Sequence, residues 1–301
     1  MSAIDVIISG TMLAQTIRMT IPYACAALGG VIGERSGIVN IGLEGILLSS
    51  ALAAVAVNGA TGSAALGIAS GVVCGAALGL GHALLVVTGR IDAIVSGLAL
   101  NLVAAGGTRV VLRALYSSSS NSPSVPGVRI DGGLFMRTVF DPFLLLTLAL
   151  CAAVAWMLVR TRFGLRLRAC GEDPSAAQAV GVDVAKTRLL AVALGGGACG
   201  LGGAALAFEL HQFQSGMTGG RGFIALAAVI VAGWRPWRAL GACCAFATLD
   251  ALQIVLQNQT KIPSQIFAVL PFVATLVALA AVSKRKGGGV RPPAGIGKHP
   301  T

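Results

Sequence analysis

The sequence predicts an all-α, polytopic membrane helical bundle of about eight to ten transmembrane helices, some of them broken, without a soluble domain. Three observations carry this. Of the 301 residues, 55% are hydrophobic and only 11% are charged, against roughly a quarter charged in a soluble domain; too few groups exist for water to solvate a globular surface. Apolar runs near the roughly 20 residues that cross a bilayer as helix recur along the chain. Many of the 41 glycines lie inside those runs. There each costs about 1 kcal/mol in a soluble helix, but in a membrane it lets helix backbones approach closely.

In chain order the apolar runs are 6–31, 41–57, 64–88, 92–112, 142–159, 188–208, 222–232, 239–256 and 264–282. The first lacks a basic segment ahead of it, the chain opening Met1-Ser2-Ala3-Ile4-Asp5. Cys25 has Pro22 where a lipoprotein signal carries Leu. The run is therefore expected to be retained as a span. Runs 41–57 and 222–232 are short for a crossing and each follows a glycine-rich polar stretch, which predicts broken or partly inserted helices. Gly71, Gly75 and Gly79 recur every four residues in the third run, and Gly196, Gly200 and Ala204 do so in the sixth. These are ridges for close helix packing. Asn101 lies near the middle of the fourth run, where it serves either an interhelical hydrogen bond or the solute pathway.

Arginine and lysine orient the bundle. The segment 160–188 and the tail 283–301 are the most basic and are expected in the cytoplasm, together with Trp234-Arg235-Pro236-Trp237-Arg238. Alternation then places 116–141 and 209–220 outside, Glu34 and Arg35 inside, and the N-terminus outside; Arg113, Arg129 and Arg137 run against the charge rule. The net charge of +11 sits in short loops without interleaved aromatic residues, which argues against nucleic acid. Six of the seven cysteines stand in apolar stretches, no C-x-x-C occurs, and His82, His211 and His299 are isolated. No metal, disulfide, cofactor or catalytic set is read from them.

Two segments carry chemistry. In 160–188, Asp173 can cap a helix, Pro174 suits its first position and Gly181 its exit. The result is a helix of about two turns, with Ala176, Ala177 and Val180 as a small apolar face. So short a helix is marginal alone and has to lie against the bundle or another protein. The second segment, Gly33-Glu34-Arg35-Ser36-Gly37-Ile38-Val39-Asn40-Ile41-Gly42-Leu43-Glu44-Gly45, sets ionisable groups between apolar runs. Such groups are expensive at depth and face a partner or a watery path. Asn40 and Glu44, four apart, are expected on one helical face bordering the pathway.

A bundle of this kind transports a solute, signals, or does chemistry in the membrane. No G-x-x-x-x-G-K-[ST] phosphate loop is present, nor H-E-x-x-H or G-x-S-x-G, which sets aside ATP binding of that kind and weakens an intramembrane enzyme. A proton- or sodium-coupled transporter using Glu44, Asp92 or Asp250 stays open.

The segment G-E-R-S-G-I-V-N-I-G-L-E-G resembles the signature of permease subunits of ATP-binding-cassette importers, in the branch that takes up nucleosides and simple sugars. So do R-A-C-G-E-D-P-S-A-A-Q-A-V-G-V with the following G-G-G-A-C-G-L-G-G-A, then G-R-G-F-I-A-L-A-A-V-I-V-A-G-W-R-P, and the tail R-P-P-A-G-I-G-K-H-P. Gly171-Glu172-Asp173-Pro174 stands where the family shows G-E-N-P; aspartate caps equally well. The resemblance implies a multi-pass protein of the bacterial inner membrane without cofactor. Its implied partners are a cytoplasmic ATPase, a second permease chain in a heterodimer, and an extracellular or periplasmic substrate-binding protein. It implies that Gly171, Glu172, Asp173, Pro174, Ala176, Ala177 and Gly181 couple to the ATPase. Ribose-like sugars and branched-chain amino acids are the neighbouring substrate classes.

Overall fold

The computed structural model describes residues 10–128, 138–259, 269–283 and 292–297. Eleven helices occur among them: α1 Gly10–Arg35, α2 Leu43–Thr61, α3 Ala64–Val87, α4 Ala93–Tyr116, α5 Pro142–Arg160, α6 Arg162–Glu172, α7 Pro174–Ala179, α8 Val184–Glu209, α9 Arg221–Ala232, α10 Pro236–Gln259 and α11 Leu270–Ser283. No soluble domain is present among the described residues. Short polar side chains start many of these helices: Asp92 accepts from the N–H of Ile94 and Val95, Asp141 from Phe143, and Asp183 from Lys186. Each supplies an acceptor for donors that no helical partner reaches.

Every expected run contains a helix, with residues 1–9 and 260–268 lying outside the described set. One expectation is corrected. The run 41–57 is no fragment, since α2 spans 19 residues; the break lies ahead of it, in the non-helical 36–42. The other short run holds, because α9 has 12 residues, about 18 Å of rise against a hydrocarbon core of roughly 30 Å. It is too short to cross by itself. Five helices (α2, α3, α4, α5 and α8) are long and apolar enough to cross on length and composition.

The buried centre is α1 against α8. Their backbones cross at Gly29 and Gly195, where a Cβ on either would run into the other's carbonyl. On the far side of α8, Gly196 and Gly200 meet Gly71, Gly75 and Gly79 of α3 so closely that a methyl group on Gly79 would lie 2.5 Å from Val192 O. The two glycine ridges are thus each other's partners. Outward faces of α3, α4 and α5 are apolar and exposed, as Val73, Leu102, Val110 and Leu145 show, which is what lipid or another membrane chain covers.

At one end of the bundle the loops after α4 and α8 pair. Val125 N donates to His211 O (2.8 Å) and Ser215 N to Ser120 O (2.8 Å). At the other end the α1 terminus, α6–α7, Trp234 and the tail segment 292–297 meet, with Gly295 N donating to Gly171 O at 2.8 Å. The segments assigned to each side by charge therefore share an end. The protein is a multi-pass membrane protein.

Candidate functional site

The polar layer inside the bundle forms where α2 and α9 begin. Gly220, at φ +85°, turns the chain into α9 without offering a capping side chain. Glu44 supplies the cap instead: its Oε1 accepts from Gly220 N and its Oε2 from Gly222 N, both at 2.7 Å. A carboxylate on two free N–H groups at a helix N-terminus is favoured by hydrogen bonding and by the helix dipole. Only glycine fits at 222, since a Cβ would press on the backbone of Leu43 and Glu44.

Asn40 and Asn101 serve the same junction. Asn40 Oδ1 accepts from Gly42 N (3.0 Å). Asn101 Oδ1 accepts from Gly45 N (2.8 Å) while its Nδ2 donates to Ile41 O (3.0 Å), so its amide stitches α4 across the start of α2. Asn40 and Glu44 do not share a helical face, because Asn40 lies in the irregular stretch before α2 and is buried. His82 closes the junction from α3, with Nε2 3.2 Å from Val39 O and Nδ1 2.9 Å from Ser96 Oγ.

Beside this junction lies a set that the sequence reading did not assemble. Arg221, between the two amides that Glu44 holds, pairs with Asp250 of α10 (3.4 Å) and donates to Met217 O (2.8 Å). Tyr23 of α1 donates its hydroxyl to the same Asp250 oxygen (3.2 Å), and the Arg221 guanidinium lies 6.0 Å from the Tyr23 ring centre. Arg221 also lines a cavity of about 150 Å³ between α1, the start of α5 and the end of α8, whose wall includes Gln15, Arg18, Asp141 and Glu209. Arg18 and Glu209 form an ion pair there (3.2 Å). The signal for Arg221 was its setting, Gly-Arg-Gly at the head of an apolar segment too short to cross.

At the basic end, the expected short helix exists. Asp173 Oδ1 accepts from Ser175 N and Ala176 N at 3.0 Å each, Pro174 is its first residue, and Gly181 leaves it at φ +84°. Its face differs from expectation. Ala177 is buried against Cys170 and Val184, because the helix packs its middle on its own chain, whereas Ala176 is exposed and Val180 is 79% exposed. Gly171 lies under Arg35 O with no room for a Cβ, and Glu172 Oε2 accepts from Ala294 N (3.3 Å). Arg188, 3% exposed, donates to Ser36 O (3.0 Å) and Cys170 O (3.4 Å), and Gly297 N donates to Gly37 O (3.1 Å). The corner between α6 and α7, the tail and the stretch before α2 are one hydrogen-bonded unit. Nearby, Asp183 lies below the usual carboxylate range, chiefly because the Lys186 N–H bonds it. With the shift downward, this cap is held above the ordinary aspartate pKa and lost as pH falls through the lowered one.

Residues 12–279 match the family model described as branched-chain amino acid transport system / permease component. The chain is 34% identical over 290 residues to the guanosine ABC transporter permease protein NupQ of Bacillus subtilis, covering 89% of this chain and 90% of that protein. It is 34% identical over 291 residues to the nucleoside ABC transporter permease protein NupC of Lactococcus lactis, covering 89% and 91%. It is also 33% identical over 305 residues to a putative glucose ABC transporter permease of Haloferax volcanii, covering 89% and 90%.

Proposed function

Because this chain belongs to the family of permease components of branched-chain amino acid transport systems, we propose that it forms the membrane pathway of an ATP-driven importer for nucleosides. The observation that carries this is similarity over 89% of the chain to the guanosine and nucleoside permeases, together with a bundle whose polar interior is built on a half-length helix. The partners are a cytoplasmic ATPase, a second, non-identical permease chain, and a substrate-binding protein outside. The membrane is the bacterial inner membrane, with the tail in the cytoplasm.

Coupling runs through the basic end. The ATPase meets the exposed side of α7, around Ala176 and Val180. Movement of α7 passes through Gly171 and the Arg188 bonds to Ser36 O, into the stretch 36–42 that begins α2. That stretch leads into the first turn of α2, where Glu44 stands, and Glu44 holds the start of α9, so a shift at the ATPase contact re-aims the half-helix at mid-membrane. Asn40, Glu44 and Asn101 border the pathway in this scheme by shaping its backbone.

A proton- or sodium-coupled mechanism finds less support. Its three acidic positions hold structural bonds: Glu44 caps α9, Asp92 caps α4 and Asp250 pairs with Arg221 and Tyr23. A sugar importer has the glucose permease relative in its favour. Proteoliposomes holding this chain, its partner permease, the ATPase and the binding protein separate these readings. Labelled guanosine, uridine, ribose, glucose and leucine are offered with and without ATP. ATP-dependent accumulation of the nucleosides is expected; accumulation of glucose, ribose or leucine alone overturns the substrate assignment, and uptake driven by an ion gradient without ATP overturns the coupling.

A further inference from the structure

At the basic end, outside the junction described above, lies a cavity of about 480 Å³ lined by Arg35, Arg168, Arg235 and Arg238. They come from three places: the end of α1, the last turns of α6, and the turn into α10. No carboxylate is among the lining residues. Arg168 and Arg235 lie close enough to Arg35 to repel it, and Glu172 close enough to attract it. Glu34 is behind the wall, accepting from Trp234 Nε1. Counting both acids, two positive charges are left over.

Arg35 is fixed in place. Arg35 Nε donates to Trp234 O at 3.1 Å, and Trp234 is itself pinned by Glu34. Arg168 Nε is buried and has no hydrogen-bond partner among the described residues. Converging guanidiniums repel one another unless an anion sits among them, and a buried guanidinium N–H without an acceptor costs free energy. The rest of the wall is apolar: Leu158 and Val159 of the last turn of α5, with Val159 68% exposed. Trp237, 56% exposed, stands at the rim, and Trp156, 64% exposed, stands one turn before Arg160. Exposed tryptophans on membrane helices mark the headgroup level.

We propose that this cavity binds an anionic glycerophospholipid, its phosphodiester among Arg35, Arg168, Arg235 and Arg238 and one acyl chain along the Leu158–Val159 edge of α5. The shape selects lipid over a soluble anion, because an apolar wall at headgroup depth has no use for free phosphate. Two of the four arginines around the headgroup, Arg35 and Arg168, lie near Glu172 and the root of α7. An occupied site therefore steadies the corner on which α7 is mounted. Lipid binding here does not depend on the transport function and is tested without substrate.

The three tryptophans (Trp156, Trp234 and Trp237) all lie at this end, so brominated acyl chains report occupancy by quenching. The purified protein is placed in phosphatidylcholine vesicles containing a minor fraction of brominated phosphatidylglycerol, and separately of brominated phosphatidylcholine. Binding predicts a preference for the anionic lipid of roughly ten-fold or more, which is about 1.4 kcal/mol. The R235Q/R238Q variant, altered at two exposed positions, should lose most of that preference, and R235K/R238K should keep much of it. The R160Q/R162Q variant, equal in charge and exposed on the same end but off the cavity, should keep it all. Equal loss in both glutamine pairs would reduce the effect to surface potential and overturn the site. Displacement of the lipid signal by inorganic phosphate at matched ionic strength overturns the lipid assignment in favour of a soluble anion. No preference in the unaltered protein overturns the proposal outright.

Discussion

A single carboxylate can hold two elements together when it caps a helix from which it is remote in sequence. Glu44 does this for α9, with Gly220 lying 176 positions further along the chain. Charge-assisted hydrogen bonds contribute about 1.5–3 kcal/mol each, whereas the local bond from Asn40 Oδ1 to Gly42 N is an ordinary one of about 1 kcal/mol. Glu44→Gln keeps the shape and one acceptor but removes the charge. The expected order of thermal stability in detergent is unaltered protein, then Asn40→Ala, then Glu44→Gln, then Glu44→Ala. Uptake should fall further than assembly in both Glu44 variants, because the start of α9 is then unconstrained. Full uptake by Glu44→Ala in a normally assembled complex removes this residue from the pathway. Asn101 was legible as a membrane-depth polar residue, and its role as a stitch between helices is one of the two readings the sequence allowed.

At the level of elements, the glycine ridges make a sharp contrast available. Gly196 faces the Gly75 carbonyl, and backbone cannot move aside for a side chain as a flexible neighbour can; Gly106 on α4 has nothing within 4 Å. Gly196→Leu should abolish folded protein, while Gly106→Leu should express and elute as the unaltered chain does, a comparison that size-exclusion chromatography settles. The short helix α7 gives a second contrast. Gly181 has open space around it but a left-handed backbone, so Gly181→Val meets strain of about 1–2 kcal/mol without a clash. Val180→Arg alters only the exposed side. Both variants should insert normally yet bind the ATPase less tightly, by about five-fold or more. Ala177→Leu, by contrast, overpacks the contact with Cys170 and Val184 at about 1–3 kcal/mol, and shows as lowered stability even without the ATPase. If Val180→Arg and Gly181→Val retain unaltered ATPase binding, α7 is a loop helix and nothing more.

The whole molecule has two chemically different ends. The loops after α4 and α8 pair at one end, and α6–α7, Trp234 and the tail gather at the other; by the charge rule the second, basic end is expected in the cytoplasm. Cys244 is the exposed one among the seven cysteines, so Cys244→Ala gives a quiet background. In intact cells a membrane-impermeant maleimide should label Ser118→Cys and leave Ser175→Cys untouched until the membrane is opened. The reverse pattern inverts the bundle and moves α7 away from any cytoplasmic ATPase.

What the sequence by itself determined is what neighbouring residues decide. Long apolar runs must become helices in lipid because no water is there to satisfy a free backbone, and Asp173-Pro174 with Gly181 frames α7 by hydrogen bonds and dihedral limits that act within a few residues. Even the shortness of α9 was legible, because length is a local property. Partner identity was not. The sequence shows that Gly71, Gly75 and Gly79 line one face and Gly196 and Gly200 another, yet not that the two faces meet. Glu44 was visible as a costly charge, but not that its two oxygens are taken by Gly220 and Gly222, nor that Arg221 finds Asp250 and Tyr23. Ala177 shared one small apolar face with Ala176 and Val180 in the sequence, and packing separated it from them by burying it against Cys170 and Val184. Such pairings depend on the register and rotation of whole helices, which are chosen by the packing of all of them at once, and only the tertiary structure records that choice.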